Sequence, residues 1–181
     1  MTLGLDISTT CIGYALFSED GDLLKIGHVT MRSKQTIFEK LKQFQEHIKE
    51  LAELEIKHIA IEEPLKKFAG KFSSADTIAL LNHFNGMVSA ICYTTWGVEP
   101  VYYNVNSARK TAYPNVKFGR KSTEAKSQVR EQVEKLEPHL NWIYGPKSRK
   151  LVNANFDMAD AYTIGLCHLV ILEKQNKIGI S

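Results

Sequence analysis

The strongest fold signal in the chain is the segment Leu3-Gly4-Leu5-Asp6-Ile7-Ser8-Thr9-Thr10, which continues as Cys11-Ile12-Gly13-Tyr14-Ala15-Leu16. It predicts a strand, a tight turn and a second strand. Because side chains alternate between the two faces of a strand, Asp6 lies on the face of Gly4 and Ser8. Burying an ionised aspartate among apolar residues is costly unless a cation or several donors accompany it. The small residues leave room for a phosphate or a hydrated metal ion; the alternative is an aspartate that caps its own turn.

Beyond this hairpin, the pattern predicts a third strand over residues 23–30, which makes an antiparallel three-strand meander. Helices and strands then alternate. Helices are predicted over 36–55, 74–95, 106–112, 122–136 and 157–174, and strands over 58–62 and 98–105. The strand at 58–62 is apolar on both faces, as in a sheet that helices cover on both sides. The sequence therefore predicts an α/β fold with one mixed sheet, helices on both faces, and a single domain over residues 1–181.

Composition limits the function classes. A chain of 181 residues with 44% hydrophobic residues is ordinary for one soluble domain. The net charge of +3 is small, so any affinity for nucleic acid must come from local clusters. Cys11, Cys92 and Cys167 lie far apart, which suits a reducing compartment and predicts small apolar packing groups. Because no apolar segment could span a bilayer and no signal peptide is visible, we expect a cytoplasmic protein.

Four acidic residues stand where a strand ends or a helix begins. Asp6 lies in the first strand and Glu62 ends the strand at 58–62, while Asp157 and Asp160 share one side of the last helix. Four hard oxygen donors without a Cys/His set favour Mg²⁺ or Mn²⁺. Such a cluster can hold two ions, of which one activates water and both stabilise the charge on a phosphodiester. For Asp157 alone, a favourable place in the helix dipole is the alternative.

Glu63 is the alternative to Glu62 in this cluster. Glu62 shares a strand face with the small residue Ala60, which leaves room for a metal ion, whereas Glu63 points to the opposite face. We therefore expect Glu62 to be the ligand.

Five segments together resemble RuvC-type Holliday junction resolvases, which belong to the RNase H-like nuclease superfamily. They are Leu3-Gly4-Leu5-Asp6 with Gly13, Ile59-Ala60-Ile61-Glu62-Glu63-Pro64, Asn106-Ser107-Ala108-Arg109-Lys110, Ala125-Lys126-Ser127-Gln128-Val129 and Asp157-Met158-Ala159-Asp160-Ala161. The resemblance covers nearly the whole chain. It implies an RNase H-like fold, a homodimer, and an endonuclease that cuts four-way DNA junctions by paired symmetric nicks.

The resemblance also implies roles for individual residues. The metal ligands would be Asp6, Glu62, Asp157 and Asp160, which would bind two Mg²⁺ ions that Mn²⁺ can replace. Lys126 would be the active-site lysine that stabilises the pentavalent phosphate, and Lys110 would match a second lysine that holds DNA. The long helix over 74–96 would carry the dimer contact.

The chain departs from the bacterial pattern after Glu62, where Glu63-Pro64 replaces the usual glutamine, and in the basic loop at 147–150. These differences resemble divergent viral or organellar branches of the family. Basic clusters predict a DNA surface, because lysine and arginine bind phosphates. The candidate DNA-binding residues are Lys66, Lys67, Phe68, Lys71, Phe72, Arg109, Lys110, Lys117, Arg120, Lys121 and Arg130. Phe68 and Phe72 lie between lysines and could wedge or stack on unpaired bases; the alternative is that they anchor their loop on the core.

Three other functions compete with junction resolution. One is a broader debranching nuclease that acts on flaps and Y-forks. Another is a junction-binding protein with a degenerate site, which the full acid set and Lys126 disfavour. The sugar-kinase and actin group also begins with an aspartate hairpin, but its second lobe and nucleotide motif do not fit in 181 residues.

Overall fold

The computed structural model describes residues 1–64 and 75–179. The elements in chain order are β1 (Thr2–Ile7), β2 (Cys11–Phe17), β3 (Leu23–Thr30), α1 (Ile37–Ala52), β4 (His58–Glu62), α2 (Ala75–Trp96), β5 (Val101–Tyr103), α3 (Val105–Ala112), α4 (Ser122–Leu136) and α5 (Ala154–Ile178). The strands form one sheet in the order β3-β2-β1-β4-β5. The first three strands are antiparallel, and β4 pairs in parallel with both β1 and β5. The predicted mixed α/β fold is confirmed.

Two boundaries differ from the sequence prediction. The strand predicted over 98–105 is shorter, because Asn104 already caps α3: its side chain accepts hydrogen bonds from the backbone N–H groups of Asn106 and Ser107. The last helix begins at Ala154 rather than at residue 157. Asp157 still lies in the first turn of α5, so the predicted side of the helix is unchanged.

The two faces of the sheet carry side chains of different size. On one face, the large apolar residues of β1, β2 and β4 form the main core with α1 and α2; Leu5, Phe44 and Phe84 are examples, each fully buried. The other face carries small residues such as Ala15 and Ala60, and α5 packs there. Helices therefore cover both faces of the sheet, as the apolar pattern of β4 predicts.

Two glycines set how closely α5 approaches the sheet. A Cβ atom on Gly13 would lie less than 3.0 Å from the backbone of Asp157, and one on Gly4 would lie equally close to the backbone of Ala161. Real Cβ atoms do not approach backbone so closely, so larger residues would push α5 away. Because Gly13 pairs with Asp6 in the β1–β2 register, this contact brings the start of α5 next to Asp6.

The three cysteines Cys11, Cys92 and Cys167 are free and buried, as expected of small packing groups. Burial raises the pKa of the Cys92 thiol to about 12, so this group stays neutral in the core. Within residues 1–64 and 75–179, no helix combines the length and the apolar character that crossing a membrane requires.

Candidate active site

Three of the four predicted acids meet at one end of the sheet. Asp6 and Glu62 lie near the carboxyl ends of the parallel neighbours β1 and β4, and Asp160 reaches them from α5. Each of the three offers a carboxylate oxygen, and these oxygens lie within 4.8 Å of one another. Asp160 is buried, with 2% of its surface exposed, while Asp6 and Glu62 are partly buried.

Burial and mutual repulsion raise the pKa values of carboxylates in this group of three. Burial, followed by the charges of Glu62 and Asp160, raises the pKa of Asp6 well above its usual range. Burial and then the charge of Asp160 raise the pKa of Glu62 to about 7. A divalent cation would relieve both effects, because it favours the ionised form of each carboxylate. An oxygen-only donor set of this charge suits Mg²⁺ or Mn²⁺.

Two basic side chains already contact the carboxylates. Arg109, which is buried, donates from Nη2 to Asp160 Oδ1 at 2.9 Å. Lys126 Nζ lies 3.4 Å from Asp157 Oδ1 and 3.5 Å from Asp160 Oδ2. Burial acts to lower the pKa of Lys126, but the surrounding carboxylates, Asp160 first, outweigh it and raise that pKa. Lys126 therefore stays charged beside the acids.

Asp157 occupies a different place from the other three acids. It is not one of the three whose oxygens lie within 4.8 Å of one another, and its side chain is 17% exposed. Its contacts are with Lys126 and with Cys11. Burial, and after it the charge of Asp157, raises the pKa of the Cys11 thiol to about 12. The structure thus brings Asp157 to the edge of the site rather than into its centre.

The acids lie in an open cleft of about 440 Å³. Asp6, Glu62 and Asp160 share it with Lys126 and Arg109. Glu63 also lines the cleft, but the carboxylate that lies close to the two aspartates is that of Glu62. The backbone N–H of Glu63 donates to the carbonyl of Tyr103 at 2.8 Å, which continues the pairing of β4 with β5.

Apart from Arg130, the predicted DNA-binding residues fall into three groups. Lys110, Lys117, Arg120 and Lys121 are exposed, and Arg120 lines the cleft. Arg109 lies inside the cleft on Asp160 rather than on the surface. The loop residues Lys66, Lys67, Phe68, Lys71 and Phe72 lie outside the described residues.

Arg130 is a poorer candidate than its sequence position suggested. Its side chain is 12% exposed, and Nη1 pairs with Glu134 Oε2 at 2.9 Å. Its guanidinium also lies over the Trp142 ring, 5.5 Å from the centroid. Because Glu134 on the same helix already neutralises the charge of Arg130, we expect Arg130 to contribute little to phosphate binding.

Sequence reasoning missed the contact between Lys40 and the hairpin turn. Lys40 is buried on α1, and its Nζ donates to the carbonyl of Thr9 at 2.7 Å. The signal was present, because Lys40 interrupts the apolar side of the helix between Ile37 and Phe44. This hydrogen bond connects α1 to the turn that follows Asp6.

Comparisons of the whole chain place its fold among known structures. No family model and no curated protein matches the sequence, but several solved structures share its fold. RuvC of Thermus thermophilus, in complex with a Holliday junction substrate, is 16% identical with a TM-score of 0.63; the match covers 99% of this chain and 96% of that one. The chain has the fold of the RuvC-type resolvases.

Two further resolvases share this fold. The fowlpox virus resolvase, solved with Holliday junction DNA, is 12% identical with a TM-score of 0.57, over 94% of this chain and 97% of its own. The yeast mitochondrial Holliday junction resolvase Ydc2 is 13% identical with a TM-score of 0.63, over 97% of this chain and 80% of its own. The likeness confirms the predicted RNase H-like architecture.

Proposed function

We propose that this chain is a structure-selective DNA endonuclease that resolves four-way junctions by paired symmetric nicks and depends on divalent metal ions. The observation that carries the proposal is the convergence of Asp6, Glu62 and Asp160, with oxygens within 4.8 Å of one another. The fold adds support, because the Thermus thermophilus and fowlpox virus proteins that share it were solved with Holliday junction DNA. The unit that acts would be the whole of residues 1–181.

We infer that Asp6, Glu62 and Asp160 hold one Mg²⁺ or Mn²⁺ ion, and that Asp157 contributes to a second ion at the edge of the site. When bound, such ions activate water and stabilise the negative charge that develops on a phosphodiester. The raised pKa values of Asp6 and Glu62 support this assignment, since burial keeps both carboxylates poorly compensated until a cation arrives.

Arg109 and Lys126 would have different tasks in the active site. Arg109 contacts Asp160 at 2.9 Å and would fix the direction of that carboxylate, which keeps the second oxygen available to a metal ion. Lys126 Nζ, held charged by its neighbours, would stabilise the growing negative charge on the phosphate that is cut. Lys126 can do so because its present contacts, at 3.4 and 3.5 Å, are long and easily exchanged for a phosphate oxygen.

Exposed basic residues beside the cleft would hold the DNA backbone. Lys110, Lys117, Arg120 and Lys121 would bind phosphates on either side of the cut, and this contribution would weaken as salt rises. The loop residues Lys66, Lys67, Lys71, Phe68 and Phe72 remain candidates for opening the junction centre, with one phenylalanine as the wedge.

We infer a homodimer, because a four-way junction offers two symmetric cutting sites and a twofold dimer would match them. Exposed apolar side chains on α2 support this inference: Leu80 is 47% and Tyr93 53% exposed. Replacing Tyr93 with glutamate should convert the dimer to a monomer in sedimentation analysis. Cutting would then yield single nicks rather than paired ones.

The experiment that tests the function is cleavage of a labelled immobile four-way junction in Mg²⁺, with EDTA as the metal-free control. We expect paired symmetric nicks in Mg²⁺ alone, no nicks with Asp160→Asn, and normal nicks with Asp20→Asn, which removes an exposed carboxylate from the β2–β3 turn. Equal cutting of a flap and a Y-fork would favour a broader debranching nuclease. Tight junction binding without cutting in Mg²⁺ or Mn²⁺ would favour a binding protein and contradict the proposal.

A further inference from the structure

The open cleft continues beyond Lys126. A second recess of about 560 Å³ lies on the other side of this lysine, and we call it the side recess. Its lining includes Thr10, Thr123, Asn153 and Phe156. Lys126 and Ser8 line both the side recess and the cleft that holds the acids. One DNA strand that crosses Lys126 would therefore pass from one space into the other.

We propose that the side recess binds the nucleotide next to the phosphate that is cut and reads its base, so that Asn153 determines the sequence preference of cleavage. This inference rests on the proposed function. It assigns the base-reading task to Asn153 and to the hydroxyls of Thr10 and Thr123, and the task of stacking on the base to Phe156.

The size of the side recess suits a nucleoside. Its volume of about 560 Å³ falls in the range of roughly 300–1,000 Å³ that is typical of small-molecule sites. Lys126 stands at the boundary, where it can hold a phosphate while the attached sugar and base extend past it.

The side chains of the side recess offer both stacking and hydrogen bonds. Phe156 is partly exposed, and a phenylalanine ring stacks on any base because every base has a π face. Asn153 is exposed and makes no capping hydrogen bond to α5, so its amide is available. An asparagine amide presents a donor beside an acceptor, which matches the adjacent acceptor and donor of adenine.

The wall that carries Asn153 is held in place. Asn155, which is fully buried, accepts a hydrogen bond from the backbone N–H of Ile143 at 2.9 Å and donates to the carbonyls of Ile143 at 2.6 Å and Val152 at 3.0 Å. These bonds fix the chain on both sides of Asn153. A fixed backbone at this position limits the directions in which the Asn153 side chain can extend toward a base.

The basic residues beside the acid cleft have a different task when they bind phosphates. Arg120 and Lys121 are exposed cations, and contacts of that kind to phosphate oxygens position DNA without reading its sequence. Direct reading of a base at the cut requires groups that touch the base. Asn153 is placed to do so.

The test uses junctions randomised at the nucleotides that flank each cut, with the cleaved products sequenced. Wild-type protein should favour certain bases at one flanking position, and Asn153→Ala should reduce that preference by about 5- to 100-fold, the range of one bidentate base contact. Phe156→Leu should weaken junction cutting with little change in which base is favoured. Asn176→Ala, at the far end of α5, is the matched control and should leave the preference unchanged.

The outcomes separate this inference from the function on which it rests. If wild-type protein neither binds nor cuts branched DNA, the proposed function fails. If wild-type protein cuts with a base preference that Asn153→Ala retains in full, the inference fails and the function stands. Cutting by wild-type protein without any base preference would also overturn the inference. So would an Asn153→Ala variant that loses affinity equally for all sequences, because that result indicates a phosphate contact. Binding of Mn²⁺ and the thermal unfolding temperature should be the same in wild type and Asn153→Ala.

Discussion

Asp157 and Asp160 lie one turn apart on the same side of α5, yet their surroundings differ sharply. Asp160 is 2% exposed, belongs to the group of three with Asp6 and Glu62, and is held by the buried Arg109. Asp157 is 17% exposed, lies outside that group, and contacts Lys126. The same residue type on one helix face thus reaches a buried centre in one case and a partly buried edge in the other.

How closely the backbone of α5 approaches the sheet, rather than residue type, determines where the two aspartates lie. Gly13 lets the backbone of Asp157 touch β2, and Gly4 lets the backbone of Ala161, next to Asp160, touch β1. Because α5 crosses the sheet at these two points, Asp160 projects between the ends of β1 and β4. Asp157, one turn earlier, projects beside Lys126. We therefore expect the two acids to contribute unequally to metal binding.

The largest expected effect separates the two aspartates directly. Asp160→Asn should abolish binding of the central ion and reduce nicking by about 10³-fold or more, since it removes a charge from a preorganised site. Asp157→Asn should retain one ion and lose roughly 10- to 100-fold in nicking. Calorimetric titration with Mn²⁺ and single-turnover nicking measure the two effects. Equal losses of nicking in the two variants would remove the distinction.

Lys126 should matter for the rate but not for metal binding. Lys126→Met should slow nicking by about 10²- to 10³-fold, because it removes a cation placed to stabilise charge on the phosphate. Mn²⁺ should bind at least as tightly as before, since a competing cation is gone. Lys135→Met, in the last turn of the same helix, is the control and should be near normal. Weaker Mn²⁺ binding in Lys126→Met would show that the lysine organises the carboxylates instead.

The raised pKa of Glu62 predicts a pH dependence of stability in the metal-free protein. The folded state holds a proton on Glu62 up to about pH 7, whereas the unfolded chain releases it near pH 4.5. The free energy of unfolding should therefore fall as pH rises from about 4.5 to 7, by up to roughly 3 kcal/mol, with Asp6 acting in the same direction. Urea unfolding between pH 4.5 and 8 in EDTA measures this slope.

Glu62→Gln should flatten that slope, and Glu63→Gln, the same change one residue later, should keep it. Saturating Mg²⁺ should also flatten it, because the ion binds the ionised form and compensates its burial. A slope that is lost in the Glu63 variant and kept in the Glu62 variant would reverse the choice of ligand.

The smallest expected effects come from the two glycines. Gly13→Ala and Gly4→Ala should each lower the free energy of unfolding by about 1–3 kcal/mol, since a methyl group would collide with the backbone of α5. Thermal unfolding measures this loss. Gly13→Ala should also weaken the ion at Asp157 more than the central ion. If the affinity for both ions falls equally, α5 moves as a rigid unit, and Gly13 does not act on Asp157 alone.

Much of this arrangement could be predicted from local patterns. The alternation in residues 3–16 indicates the hairpin, and the apolar run at Ile59-Ala60-Ile61 indicates a strand buried on both faces. The spacing of three between Asp157 and Asp160 places both on one side of a helix. Each of these features depends only on residues that are close together in the sequence, so the sequence alone is enough to predict it.

The rest depends on contacts between distant parts of the chain. Nothing local distinguishes Arg109, which turns inward to Asp160, from Lys110, which is exposed. Tertiary packing also places Arg130 over the Trp142 ring. It likewise keeps Asp157 out of the central group of carboxylates. Whether Phe68 or Phe72 wedges a junction stays a prediction, because both lie outside the described residues.

The most direct test of the central claim is anomalous diffraction at the manganese edge from crystals grown with Mn²⁺. We expect a strong peak among the carboxylates of Asp6, Glu62 and Asp160, whose oxygens lie within 4.8 Å of one another, and a weaker peak toward Asp157. A crystal at saturating Mn²⁺ with no peak among these three side chains would contradict the account.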